Sequence, residues 1–377
     1  MIPLARPYFE MDDLDEVRKV MISGWASRGP KCQELEGLIC DYTGAKYCVT
    51  LSNCSAALYL SLMAFDFPKG SEVIVPDFTF PATALAVMMA GLKPVFVDVL
   101  YDTYNINPTL IAEKITDKTV AIIPVHLFGQ MADINCLRFM SAARGIEIIE
   151  DAACALGSWR HDESLQTKQF MAGVSSDVGC FSFHARKGLT TGEGGCIVTD
   201  DKTIALRVRE ASNFGISDAY NRSGIPSFDR FGFNFKMSDI QAAVGVAQMK
   251  RLDKMIDERR GIANNWTELI RKYRWEDNET LKGVKIIPPY EAPYCFHVYQ
   301  SYVCRTDSRE ALMNLFLKNG METGIGTYAC HQHPIFAEFV QGQSFPVSEK
   351  LAREAWALPM FINLRIEEKD GELSLKG

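Results

Sequence analysis

Short apolar runs alternate with longer mixed segments along the first half of the chain. Tyr47–Leu51, Glu72–Pro76 and residues 94–99, 120–125 and 146–150 have the length and composition of buried strands. Segments of helical length separate them. The alternation predicts an α/β fold, a mostly parallel sheet with helices on both faces. In such open sheets, ligands lie beyond the carboxyl ends of the strands, so motifs at strand ends carry most weight. Two further apolar runs, 178–183 and 196–198, flank a glycine-rich turn.

The N-terminal 45 residues predict an arm and a helix, with acidic residues and apolar spacing mixed over 12–21. Ser238-Asp239-Ile240-Gln241 is a capping box, and the amphipathic pattern running from it through Ile256 and Ile262 predicts one long helix linking two domains. Residues 303–307 and 320–324 predict strands around a helix at 309–319. The expected division is therefore a large domain over 1–250, including the N-terminal arm, and a smaller C-terminal domain over 251–377.

At 377 residues, 47% hydrophobic and 23% charged, the chain has ordinary globular composition. Its net charge of −7 argues against nucleic acid or an anionic membrane as partner. No apolar run reaches the roughly 18 to 20 residues of a membrane span. The first residues lack the apolar core of a signal peptide. Eleven cysteines without a C-x-x-C pair give neither a disulfide framework nor a zinc pattern, and no metal is expected. These features predict a reduced, cytoplasmic protein. The G-x-G-x-x-G, Walker-type, G-x-S-x-G and H-E-x-x-H signatures are all missing.

The candidate chemistry sits at strand ends. Lys187 lies on the turn between the last two runs, followed by Gly188, Gly192, Gly194 and Gly195. A lysine so placed suits imine chemistry when burial or nearby cations lower its pKa, although a surface lysine in a β-turn satisfies the same pattern. Asp151 ends the 146–150 run, where it either faces a cationic ligand or caps a helix. Residues 52–58 open a helix whose first amides suit a phosphate, or are simply capped by Ser52 or Ser55. Phe80, after another strand, either stacks on a flat heterocycle or belongs to the core. Trp25 lies in a turn, and His331 and His333 lie two apart without an acidic or thiol partner at ligand spacing.

The run F-S-F-H-A-R-K-G-L-T-T-G-E-G-G at 181–195 resembles the segment that carries the cofactor lysine in the DegT/DnrJ/StrS family of pyridoxal-phosphate (PLP) sugar aminotransferases. D-F-T-F-P-A-T at 77–83 and E-D-A-A at 150–153 agree with that family in order and spacing. The resemblance covers nearly the whole chain, thinning after Phe361. It implies a fold-type-I PLP transferase, with a mostly parallel seven-stranded sheet and a smaller C-terminal α+β domain.

The resemblance also implies roles. Lys187 holds PLP as an internal aldimine, and Asp151 pairs with the pyridine nitrogen. Phe80 stacks on the ring, and Ser55, Ala56 and Ser182 hold the phosphate. Asn234 reaches the phosphate of a neighbouring subunit, which implies a homodimer. Trp25 and His331 lie near the substrate, while His184 and Arg186 are scaffold and Glu193 holds the turn. Four positions depart from the family pattern: Cys54 for glycine, Cys154 for glutamine or histidine over the ring, Lys236 for arginine, and Cys330 for leucine. The last residues also lack the family's apolar closing helix.

The implied reaction is ping-pong transfer of an amino group from an amino acid, L-glutamate, to a keto-sugar, nucleotide-linked and either 4-keto or 3-keto-6-deoxy. The related sugar 3-dehydratases carry histidine in place of the lysine, so Lys187 argues against them. A non-nucleotide cyclic ketone as acceptor, or a non-catalytic regulatory protein keeping the fold, remain as alternatives.

Overall fold

The computed structural model describes residues 1–161, 169–217, 225–272, 283–369 and 372–376. Its strands are β1 (Tyr47–Leu51), β2 (Glu72–Pro76), β3 (Phe78–Thr79), β4 (Lys93–Val97), β5 (Thr119–Ile122), β6 (Glu147–Asp151), β7 (Trp159–His161), β8 (Gln169–Met171), β9 (Val178–Ser182) and β10 (Gly195–Thr199). Seven of them form one sheet in the order β1-β10-β9-β6-β5-β2-β4. Pairing is parallel from β9 through β4, and β10 runs antiparallel to both β1 and β9. This is the mostly parallel sheet that the alternation predicts.

Helices cover both faces. Alternate residues of each strand point to opposite sides, so Val73 and Val75 join a core with Leu58, Leu62 and Val87, beneath helices Cys54–Ala64 and Ala82–Met89. Ile74 and Ile148 point the other way, toward Leu35, Ile39, Leu137 and Val246 of three further helices. Glu36 ties one of those helices to the sheet. Its carboxylate accepts from Thr50 N and Oγ1, both at 2.9 Å, and pairs with Arg28 and Arg209.

The long helix expected after Ser238 is two helices, Asp239–Met249 and Leu252–Lys272. The capping box is present at its start. The break has a packing reason. The first helix is buried on nearly every side, whereas the second shows one apolar stripe and a polar face. At the junction the Arg251 amide bonds to Gln248 O, and its guanidinium pairs with Asp13 of helix Met11–Ser23.

C-terminal to this break, β11 (Ile286–Ile287), β12 (Cys295–Phe296), β13 (Tyr302–Thr306), β14 (Gly324–Ile325), β15 (Tyr328–Ala329) and β16 (Ala355–Leu358) follow. A four-stranded sheet in the order β11-β13-β16-β14 packs through Tyr302, Cys304 and Trp356 against Trp266, Leu312 and Phe316. The strand expected at 320–324 is displaced to β14, while Met321 bridges to Ile2 of the N-terminal arm. The closing segment is a hairpin of β17 (Arg365–Lys369) and β18 (Glu372–Lys376), with Arg365 opposite Lys376.

Glu147, at the start of β6, lies beside Asp177. Burial, then the charge and hydrogen bond of Asp177, push its carboxyl up from 4.5 to about 7. The folded protein therefore binds more protons than the unfolded chain between about pH 4.5 and 7, and this site loses stability as pH rises through that window. Glu147→Gln removes the effect. Thermal denaturation across that range is expected to show the variant gaining on the wild type with rising pH. Because the group is largely solvated, the gain is limited to about 1 kcal/mol.

Candidate active site

β6 and β9 are parallel neighbours, with Asp151 opposite Cys180 in register, so their carboxyl ends lie side by side. From Ser182 the chain enters the glycine-rich turn, which is closed by its own hydrogen bonds. The amides of Lys187 and Thr191 donate to His184 O and Phe183 O at 2.8 and 2.9 Å, and the Gly192 amide donates to Thr190 Oγ1 at 2.9 Å. Gln300 of the C-terminal part donates to Arg186 O at 2.8 Å. Held in this way, Lys187 points back over the end of β6, where its Nζ donates to Cys154 Sγ at 3.1 Å.

Burial pushes the Lys187 amine down, but Cys154, by charge and hydrogen bond, and then Asp151 outweigh it; burial holds Cys54 as an uncharged thiol. The net position is above the ordinary lysine value. This corrects the expectation of a lowered pKa, because the groups around Nζ are thiols and a carboxylate rather than cations. Asp151 is 5% exposed. Burial raises its carboxyl, opposed by a hydrogen bond from Thr83 Oγ1 at 2.7 Å and another from the Ala153 amide at 3.2 Å.

The opposite end of the site is built across three strands. Leu51, Gly195 and Ser182 face one another in register across β1, β10 and β9. Just beyond Leu51, helix Cys54–Ala64 begins, and the first amides of a helix have no intrahelical partner. Its cap is Asn53, whose Oδ1 accepts from the Ala56 amide at 2.8 Å, rather than Ser52 or Ser55. The Ala56 amide is thus engaged within the protein, while Ser55 is exposed in the first turn. Cys54 sits in ordinary helical backbone as the first helical residue, so a side chain is accommodated there. Gly195 makes the close approach possible. A Cβ on it would stand 2.6 Å from Cys54 N and 2.7 Å from Phe181 O.

Phe80 is 59% exposed and tilts toward Tyr328 with ring centroids 6.2 Å apart. With Ser55, Leu85 and Met89, these two rings line a groove of about 490 Å³. Thr83 and Tyr328 are site residues that the sequence reading missed. Thr83 was visible as the last residue of the T-F-P-A-T run, but nothing in the sequence showed that it holds Asp151.

The remaining expected residues lie further out. His331 is bound to buried Asp77 through Nδ1 at 2.6 Å and through its amide at 2.8 Å, and its Nε2 lies 3.7 Å from Glu349. Both ring nitrogens therefore have partners in the protein. Asn234 is exposed on a segment that bridges to Asn213, with Phe231 and Phe233 exposed beside it. Lys236 donates to Asn213 Oδ1 at 2.6 Å and lies over the Phe214 ring. Trp25 is exposed, with its indole N–H donating to Arg28 O at 3.2 Å. His184 Nδ1 accepts from the Arg186 amide, and Glu193 O accepts from Thr191 and Gln241, both scaffold functions.

The sequence matches the model of the DegT/DnrJ/EryC1/StrS aminotransferase family over residues 7–371. The chain belongs to this family. Similar solved structures include the aminotransferase TlmJ from Streptoalloteichus hindustanus, at 28% identity and TM-score 0.85 over 96% of this chain and 93% of that one. The sugar aminotransferase CalS13 from Micromonospora echinospora matches at 26% identity and TM-score 0.84 over 96% and 95%. Spr1654 from Streptococcus pneumoniae, solved in a PLP form, matches at 25% identity and TM-score 0.85 over 97% and 94%.

The family is PLP-dependent, and the residues present here fit that cofactor. Asp151 is a buried carboxylate at one end, suited to a cationic ring nitrogen. Ser182 and a helix start brought close by Gly195 form a polar end for a phosphate. Lys187 stands beside Asp151 and carries the amine.

Gly195→Ala is expected to cost about 1–3 kcal/mol, since the contacts its Cβ meets are backbone atoms that cannot move aside. It should also weaken PLP retention. Gly188→Ala, whose Cβ meets nothing within 4 Å, should change stability by no more than about 0.5 kcal/mol. Urea denaturation and PLP titration of both variants check this.

Proposed function

We propose that this aminotransferase moves the amino group of an amino acid, L-glutamate, to a nucleotide-linked keto-sugar, 4-keto or 3-keto-6-deoxy. The observation that carries the assignment is the convergence of Lys187 and Asp151 at the adjoining ends of β6 and β9, each within electrostatic range of the other. Its likeness to the sugar aminotransferase CalS13 supports a sugar acceptor. Bound PLP supplies an electron sink for the pair released at the donor Cα.

The chain's own residues do the rest. Lys187 would hold the cofactor covalently in the resting enzyme. Its amine, once free, would take and return the proton at the donor Cα. Asp151, fixed by Thr83, keeps the ring nitrogen protonated. Phe80 and Cys154 pack against the ring, while Ser55 and Ser182 hold the phosphate; the Ala56 amide, expected to share that role, is taken by Asn53. The exposed Asn234 completes the site of a second subunit in a homodimer. Trp25 belongs to the substrate side, and His331 supports it through Asp77. We assign PLP binding to a large domain over 1–250 and place the protein in the cytoplasm.

The proton-transfer role predicts that Lys187→Ala lowers transamination by at least about 10²- to 10⁴-fold while leaving the fold intact. The measurement is 2-oxoglutarate release from glutamate with a panel of nucleotide-linked keto-sugars, alongside circular dichroism. Undiminished turnover in a folded Lys187→Ala protein would rule out this lysine. Product formation with glutamate and a free cyclic ketone, but with no nucleotide sugar, would overturn the acceptor. A wild-type protein that takes up PLP but never consumes an amino donor would be the regulatory alternative.

A further inference from the structure

The Cys154 sulfur, 3.1 Å from Lys187 Nζ, has no part in the proton transfer described above. Four of the eleven cysteines reach the surface, Cys40, Cys136, Cys154 and Cys295. Burial pushes up the thiols of Cys40, Cys136 and Cys295. Cys154 instead stands against a side-chain ammonium at the cleft, the setting in which oxidation-prone cysteines are found.

We propose that Cys154 and Lys187 are a modification site, where a hydroperoxide joins them through a sulfur–nitrogen bond when PLP is absent. The cross-link follows from the geometry of the pair; its exclusion by PLP rests on the reading of Lys187 as the cofactor lysine.

The chemistry balances in two steps. The Cys154 thiol gives up two electrons to hydrogen peroxide, the sulfur takes one hydroxyl, and water leaves. The neutral Lys187 amine then attacks the sulfenic sulfur, forming the S–N bond and expelling a second water with the proton from nitrogen. In total, thiol and amine lose two hydrogens and one peroxide becomes two waters. The first step also prepares the second. Burial pushes the Lys187 amine down, and Cys154, by charge and hydrogen bond, is the foremost influence holding it charged. Oxidising that sulfur removes this influence, so burial then favours the free amine that attacks. A thiol reductant restores both groups. The bond occupies the same nitrogen that holds PLP, so each state excludes the other.

The test treats the full chain, freed of PLP, with hydrogen peroxide, then blocks free thiols and maps peptides by mass spectrometry. The expected result is a peptide pair joined through positions 154 and 187, lighter than the sum by two hydrogens and separated by dithiothreitol. It should persist in Cys54→Ser and be lost in Cys154→Ala. Recovery of Cys154 as sulfinic acid, or in a disulfide with Cys54, with Lys187 still open to acylation, overturns the proposal. Borohydride reduction of the PLP-loaded protein separates the two readings. PLP fixed on Lys187 without any cross-link in the PLP-free protein leaves the cofactor assignment standing and defeats this proposal. A cross-link forming equally with and without PLP, with the cofactor fixed elsewhere, supports the modification site and overturns the cofactor lysine.

Discussion

Glu150 is a carboxylate with no exposure to solvent, and the active end of the sheet depends on how its charge is met. A buried ionised group is tolerated only when its oxygens are fully hydrogen-bonded. Here one oxygen accepts from the Ser175 amide at 2.9 Å and Ser176 Oγ at 2.7 Å, and the other from the Gly173 amide at 2.8 Å. His126 Nε2 completes the set at 2.6 Å. The Ala132 amide donates to His126 Nδ1 at 3.1 Å, which leaves the ring proton on Nε2, directed at Glu150. The His126 amide in turn donates to Asp151 O at 3.0 Å. Strand alternation then sets Asp151 on the opposite side of β6 from Glu150. The network that satisfies one carboxylate thereby fixes the backbone presenting its neighbour to the cleft.

The same reasoning connects the two ends of the site. Asp151 and Ser182 terminate parallel neighbours, so the span between these two proposed cofactor contacts is set by sheet register rather than by loops. β10 runs back against β9, so the glycine-rich turn need only reverse the chain, and Gly195 begins the return. Its missing side chain is filled by the start of helix Cys54–Ala64. The turn therefore positions Lys187 and admits the helix amides with one set of residues. This accounts for glycine at 195, where backbone crowds the Cβ position, in a way that Gly188, which faces open space, does not share.

Much of this was legible from residues alone. β1 and β2 occur with their expected bounds because short apolar runs between helical segments leave few other ways to be buried. The capping box at Ser238 was readable because it is local chemistry. What the sequence hid were relations between distant segments. Periodicity continues smoothly across Lys250 and Arg251, but one helix is wrapped by neighbours and the next is not, so the chain breaks there. The cap of helix Cys54–Ala64 passed to Asn53 because Oδ1 reaches the Ala56 amide. His331 read as a substrate contact, yet its partner Asp77 is 254 positions away and was invisible as such.

The charge state of Lys187 shows the same limit most clearly. From the turn alone, a buried lysine should lose its proton, since desolvation disfavours the charged form. In the folded chain, Cys154, a departure from the family pattern, joins Asp151 in acting on Nζ and reverses that tendency. On its own that substitution looks like a small change in packing. Its sulfur, 3.1 Å from Nζ, is nonetheless the foremost influence holding the amine charged. A single cysteine in the motifs thus bears directly on the charge state of the lysine beside it.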